Sequence, residues 1–155
     1  MAKISAQERA KKKQQLDDIV LSIFWERGWH AISYASVAEA YGCSRGAIQR
    51  YFPHHLDFAE SIKGKVLPLI MSNLNWESKE ALHKSWTDAL YSDDVRFRRV
   101  MELLFSQVSQ ETPAEQTTIG MNNFLSIIEQ KFGDKQLAKI LFGETFLALL
   151  NIRRD

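Results

Sequence analysis

Leu16, Ile19, Val20, Ile23 and Phe24 recur at the spacing of one helix face, with polar residues between them. This predicts a first helix over residues 11–27, closed by Gly28 in the left-handed cap conformation. A second, short helix starts from the N-cap Ser33 and stops at Gly42, turning Val37, Ala38 and Tyr41 inward. Ser44 caps a third over residues 45–52, with Ile48 and Phe52 inward. Only Gly42 and Cys43 separate the second helix from the third cap, so the pair predicts a helix-turn-helix.

Beyond Pro53 the pattern gives a fourth helix over residues 55–74, kinked or split at Pro68, which lacks the N–H that a helix interior needs. Further helices are expected over residues 77–91, 93–110, 113–132 and 134–152. Three prolines and seven glycines leave little room for a turn-rich β architecture, and the expected fold class is all-α.

Net charge is only +1, but its distribution is uneven. Residues 1–65 carry a net of +3 and residues 66–155 a net of −2. Lys3, Arg9, Lys11, Lys12 and Lys13 cluster at the start, which reads either as a basic arm for phosphate contact or as a solvated tail. The single cysteine, Cys43, excludes an internal disulfide and fits a reducing cytoplasm. No apolar run resembles a signal peptide or a membrane span.

The third helix opens in a costly way. Arg45 stands in its first turn, where the helix dipole disfavours a cation, and Gly46 weakens the helix interior. A phosphate against that end would explain both, since backbone N–H groups bind it, Gly46 admits it and Arg45 pairs with it. An exposed Arg45 with Gly46 relieving packing explains them equally well.

Phe24, Gly28, the run from Val37 to Ile48 and then Tyr51-Phe52-Pro53 resemble the signature of the TetR (tetracycline-repressor) family, without a gap over residues 12–62. The resemblance implies a basic arm over residues 1–11, a DNA-binding domain over 12–62 with its motif at 33–52, and a helical dimerisation and ligand domain over 63–155. It implies that the third helix enters the major groove of double-stranded DNA. Ser33 and Ser44 then bond phosphates, and Lys11, Lys12, Lys13, Tyr51 and His55 are further DNA-contact candidates. Arg45, Gly46, Ala47, Gln49 and Arg50 face the DNA. Arg50 suits a guanine edge or a phosphate. Ala47, Gln49 and His55 depart from the residues the family commonly has there, namely threonine or serine, tyrosine, and a phosphate-binding lysine. They leave the operator open, together with an alternative in which the fold survives as a protein-interaction module without specific DNA binding.

In the family the last two helices dimerise. Phe124, Ile128, Leu141, Phe142, Phe146 and Leu149 supply apolar surface on more than one face there, so a homodimer is expected; the alternative is a monomer whose core takes both faces. Trp76, Trp86, Phe97, Met101, Phe105 and Met121 could line a pocket for a small apolar or aromatic ligand, or simply be core. His30, His54, His55 and His83 lack metal-ligand spacing, no nucleophile elbow or phosphate loop occurs, and neither catalysis nor a cofactor is expected. Cys43 reads as core.

Overall fold

The computed structural model describes residues 3–112 and 115–152, and the elements along them are α-helices joined by turns. They form two compact units, one ending at Val66 and the other beginning at Leu67.

In the first unit, α1 (Ala6–Arg27) begins earlier than its apolar pattern. Ser5 accepts a hydrogen bond from the Glu8 N–H at 3.1 Å, and the Glu8 carboxylate accepts one from the Ser5 N–H at 2.9 Å. This reciprocal cap satisfies two of the N–H groups that a helix start leaves without partners. Most of the expected basic arm is therefore helical. Leu16, Val20, Ile23 and Phe24 point into the core. Gly28 does close α1 with a positive φ of 88°, but its ψ of 175° is not the left-handed cap conformation. The chain instead leaves in extended form into a 3₁₀ turn, Trp29–Ala31.

α2 (Tyr34–Tyr41) has Ser33 as its N-cap and Gly42, at φ 84° and ψ 42°, as its left-handed C-cap. α3 (Arg45–Gln49) is shorter than its expected span. Its last turn tightens where both Tyr51 and Phe52 donate to the Ile48 carbonyl. A 3₁₀ turn at His55–Asp57 leads into α4 (Phe58–Ile62). Ile48, Phe52, Phe58 and Ile62 complete this core, each 2% exposed or less.

The expected fourth helix is split, but at Gly64 (φ 78°) and not at Pro68. Pro68 lies in the first turn of α5 (Val66–Asn73), where a missing N–H breaks no intrahelical bond.

The second unit continues through α6 (Lys79–Leu90), α7 (Arg96–Val108), α8 (Glu115–Phe132) and α9 (Leu137–Leu149). α6, α7 and α9 start two or three residues later than expected. The polar residues read as their first turns instead act as caps or turns. Ser78 accepts from the Ala81 N–H, Asp94 from Arg96, and Asp134 from Gln136 and Leu137. The core centres on Trp86, fully buried between Phe97, Phe124 and Phe142 at ring separations of 5.1, 5.8 and 5.4 Å. Its indole N–H donates to the Thr145 hydroxyl at 2.9 Å, and that hydroxyl donates to the Leu141 carbonyl at 2.8 Å. Both polar groups are thereby satisfied inside an apolar core.

Candidate nucleic-acid interface

The α2–α3 pair sorts its side chains by chemistry. Ile48 and Phe52 are each 1% exposed and anchor α3 to the core. Ser44, Arg45, Gly46, Gln49 and Arg50 are exposed, and Ala47 is half-buried. Ser44 caps α3 by accepting the Ala47 N–H at 3.2 Å. Ser33 caps α2 by accepting the Ser36 N–H at 3.0 Å, while the Ser36 hydroxyl donates to the carbonyls of Ala31 and Ser33. Both serines keep their hydroxyls at helix starts. The face that remains is two guanidiniums, one amide and one hydroxyl on a single short helix.

The expected phosphate contacts of the first helix divide. Lys11 and Lys12 are exposed. Lys13 is already engaged: its ammonium pairs with Asp17 at 2.6 Å and lies 4.6 Å from the centre of the Phe52 ring. Asp17 also accepts the hydroxyl of the buried Ser61 at 2.8 Å, so Lys13 ties the end of the α3 segment to α1 and α4.

Arg9, which sequence reasoning left among the charges of the arm, holds the same end one turn earlier. Its guanidinium lies 4.7 Å from the centre of the Tyr51 ring and donates to the Arg50 carbonyl at 3.2 Å. Arg9 and Lys13, one turn apart, meet the adjacent aromatics Tyr51 and Phe52, a pairing that nothing local in the sequence marks. Tyr34 was missed as well; its hydroxyl donates to the Phe52 carbonyl at 2.7 Å.

His55 is exposed where a phosphate-binding lysine was expected, but part of its ring is engaged by the fold. Its Nε2 is 2.9 Å from the Ile32 carbonyl, a contact that only a protonated Nε2 can make, and its ring meets Trp29 and Phe58 edge-on at 5.5 Å. One nitrogen is spent on the fold, and Nδ1 alone is left for an outside acceptor. Cys43 is half-buried at the turn and not core, with its thiol directed to the Ser44 carbonyl at 3.6 Å.

The second unit corrects two sets of residues. Trp86, Phe97 and Met101, expected around a pocket, are at most 2% exposed and fill the core, with Phe97 also at the floor of an open hollow beside Ser85 and Asp94. Trp76 stacks on Phe132 at 6.4 Å, and Phe105 meets Phe146 at 6.2 Å. Of the six expected lining residues, Met121 alone borders the open apolar groove of about 240 Å³ between α7 and α8, with Leu104, Gln107, Val108, Thr117, Thr118 and Asn122.

Of the residues expected at a dimer interface, Phe124, Ile128 and Leu141 are instead core, at 6, 1 and 0% exposed. Phe142 and Leu149 are half-buried. Phe146 and Leu150, one turn apart, are 52 and 55% exposed, and Ile140, six residues before Phe146 and about a third of a turn round the helix from it, is 50% exposed. By helical periodicity Phe146 and Leu150, with the exposed Lys139, lie opposite Leu137, Leu141, Thr145 and Ala148, which α9 buries, and Ile140 stands at the edge of that face.

Among the described residues, no group of three or more His, Cys, Asp or Glu side chains could hold a metal ion, and no helix is long and apolar enough to cross a membrane. Compared with known families, residues 63–149 match the one described as the tetracycline repressor LuxT C-terminal domain. No curated protein matches the chain.

Proposed function

Because the chain belongs to the tetracycline-repressor family of regulators, we propose that it is a homodimer that binds a pseudo-palindromic DNA operator through α3. The observation that carries this reading is the division of α3. Its apolar residues are spent on the core, while Arg45, Gln49 and Arg50 stand exposed with nothing apolar among them. A helix so divided is suited to a polar, anionic groove.

In this reading residues 12–62 bind DNA and residues 63–155 dimerise, a division consistent with the boundary between the compact units at Val66. Ser33 and Ser44, with Lys11 and Lys12, hold phosphates, and Arg50 reads a base. The exposed apolar side chains of Ile140, Phe146 and Leu150 support association with a second copy. Within the second unit the open groove between α7 and α8 suits a small apolar ligand better than the Trp86 cluster, which is packed solid.

Selection from a randomised duplex library at defined salt tests the proposal. A two-fold symmetric consensus is the expected result. Binding without sequence preference, or none, would favour instead an interaction module that retains the fold.

A further inference from the structure

We infer that Arg9 is a positioning residue for base readout, clamping the C-terminal end of α3 so that Arg50 is presented in one direction. The inference rests on the proposed role of α3. Arg50 is the residue at which α3 ends, and its carbonyl is one of those that a helix terminus leaves without an intrahelical donor. Arg9 supplies the donor, at 3.2 Å, and lays the same guanidinium over the neighbouring Tyr51 ring, 4.7 Å from its centre. Two contacts from one rigid planar group fix the peptide between Arg50 and Tyr51. The direction in which the Arg50 side chain leaves the backbone follows from that peptide.

Arg9 can do this only because α1 reaches back to Ala6. The reciprocal cap of Ser5 and Glu8 keeps the turn that carries it helical. Each contact is weak in isolation, since Arg9 is exposed. Their effect is geometric: base recognition depends on bidentate alignment, so a small rotation of Arg50 costs discrimination before it costs affinity. The competing use of an exposed arginine beside a recognition helix is a direct phosphate contact, which has the opposite signature.

Library selection at two salt concentrations separates the two, using the unmodified protein, Arg9→Ala, Arg50→Ala and the double variant. Arg9→Ala should relax preference at the same operator position as Arg50→Ala, by about threefold or more, a part of what one bidentate contact supplies. The double variant should behave as Arg50→Ala alone, because the effect passes through Arg50. A uniform loss across all sequences, with the salt slope reduced by about one, would make Arg9 a phosphate contact and overturn the inference. A measurement without DNA keeps its failure distinct from failure of the functional reading. In the unbound protein, Arg9→Ala should accelerate amide exchange at Tyr51 and Phe52, and unchanged exchange there would overturn the clamp. An unmodified protein that selects no sequence overturns the functional reading itself, and the readout role with it.

Discussion

α3 and α9 solve the same packing problem and leave opposite surfaces. Each buries one apolar stripe, Ile48 followed by Phe52 in one case and Leu137, Leu141 and Ala148 in the other. What α3 leaves outside is Arg45, Gln49 and Arg50, whereas α9 leaves Ile140, Phe146 and Leu150 with a single charge, Lys139. A buried stripe reports only that a helix belongs to a core. The uncovered face carries the information about a partner: charged and hydrogen-bonding on α3, mostly apolar with one lysine on α9.

The strongest way to break this contrast is to give α9 the surface chemistry of a solvent-facing helix. Ile140→Glu together with Phe146→Glu should yield a helical monomer by analytical ultracentrifugation, with full-site DNA affinity down by about a hundredfold or more as the second half-site is lost. Leu141→Ala, on the opposite side of the same helix, should cost about 2–5 kcal/mol in chemical denaturation, whatever the oligomeric state. If the Ile140 and Phe146 changes leave association intact, the exposed face is not the interface.

On α3 the same test runs with the chemistry reversed. Ile48→Ala should cost about 2–5 kcal/mol of stability through the cavity it leaves. Arg50→Ala should leave the melting temperature nearly unchanged, cost about 1–3 kcal/mol in operator binding and relax one operator position. Arg45→Ala should weaken all sequences alike and flatten the salt dependence, as a phosphate contact does. Titrations at two salt concentrations distinguish the two arginines.

The helix-turn-helix was legible because its signals are local. Ser33, Gly42 and Ser44 act within a few residues of themselves, and the structure uses each where the sequence puts it. Ser5 and Glu8 form an equally local motif, but polar residues follow them, so hydrophobic periodicity did not reach back to the true start of α1. Arg9 on Tyr51 and His55 on the Ile32 carbonyl join residues 42 and 23 positions apart, and no local pattern encodes them. On α8 and α9 the difficulty was different. Phe124, Ile128 and Leu141 look like Phe146 in a hydrophobicity profile, and only the packing of neighbouring helices decides which apolar stripe is covered.

A smaller effect compares how the two units respond to acid. Hydrogen bonds from the Ser5 backbone and hydroxyl hold the Glu8 carboxyl below its usual range, as those from Gln136 and Lys79 do for Asp134. Hydrogen bonds from the Arg96 side chain, then its backbone, hold Asp94 down to about 2. A carboxyl depressed in the folded state adds stability above its unfolded value and loses it as pH falls through the folded one. For Asp94 that window runs from 3.8 down to about 2. Thermal melts across it should show stability falling with pH, and Asp94→Asn should flatten part of the fall. Identical profiles for the two proteins would mean that the Arg96 pairing contributes nothing measurable.

The turn between α2 and α3 has a consequence for chain entropy and handedness. Gly42 holds φ 84° and ψ 42°, a conformation natural to a residue of the opposite chirality. A Cβ built there meets nothing within 4 Å, so the cost to an ordinary L-residue lies in the backbone and not in its surroundings. A D-alanine introduced by semisynthesis would adopt this φ and ψ without backbone strain while narrowing the states open to the unfolded chain. It should raise stability by about 0.4–1 kcal/mol, whereas L-alanine at the same position should lower it, and thermal melts of the two epimers read out the difference.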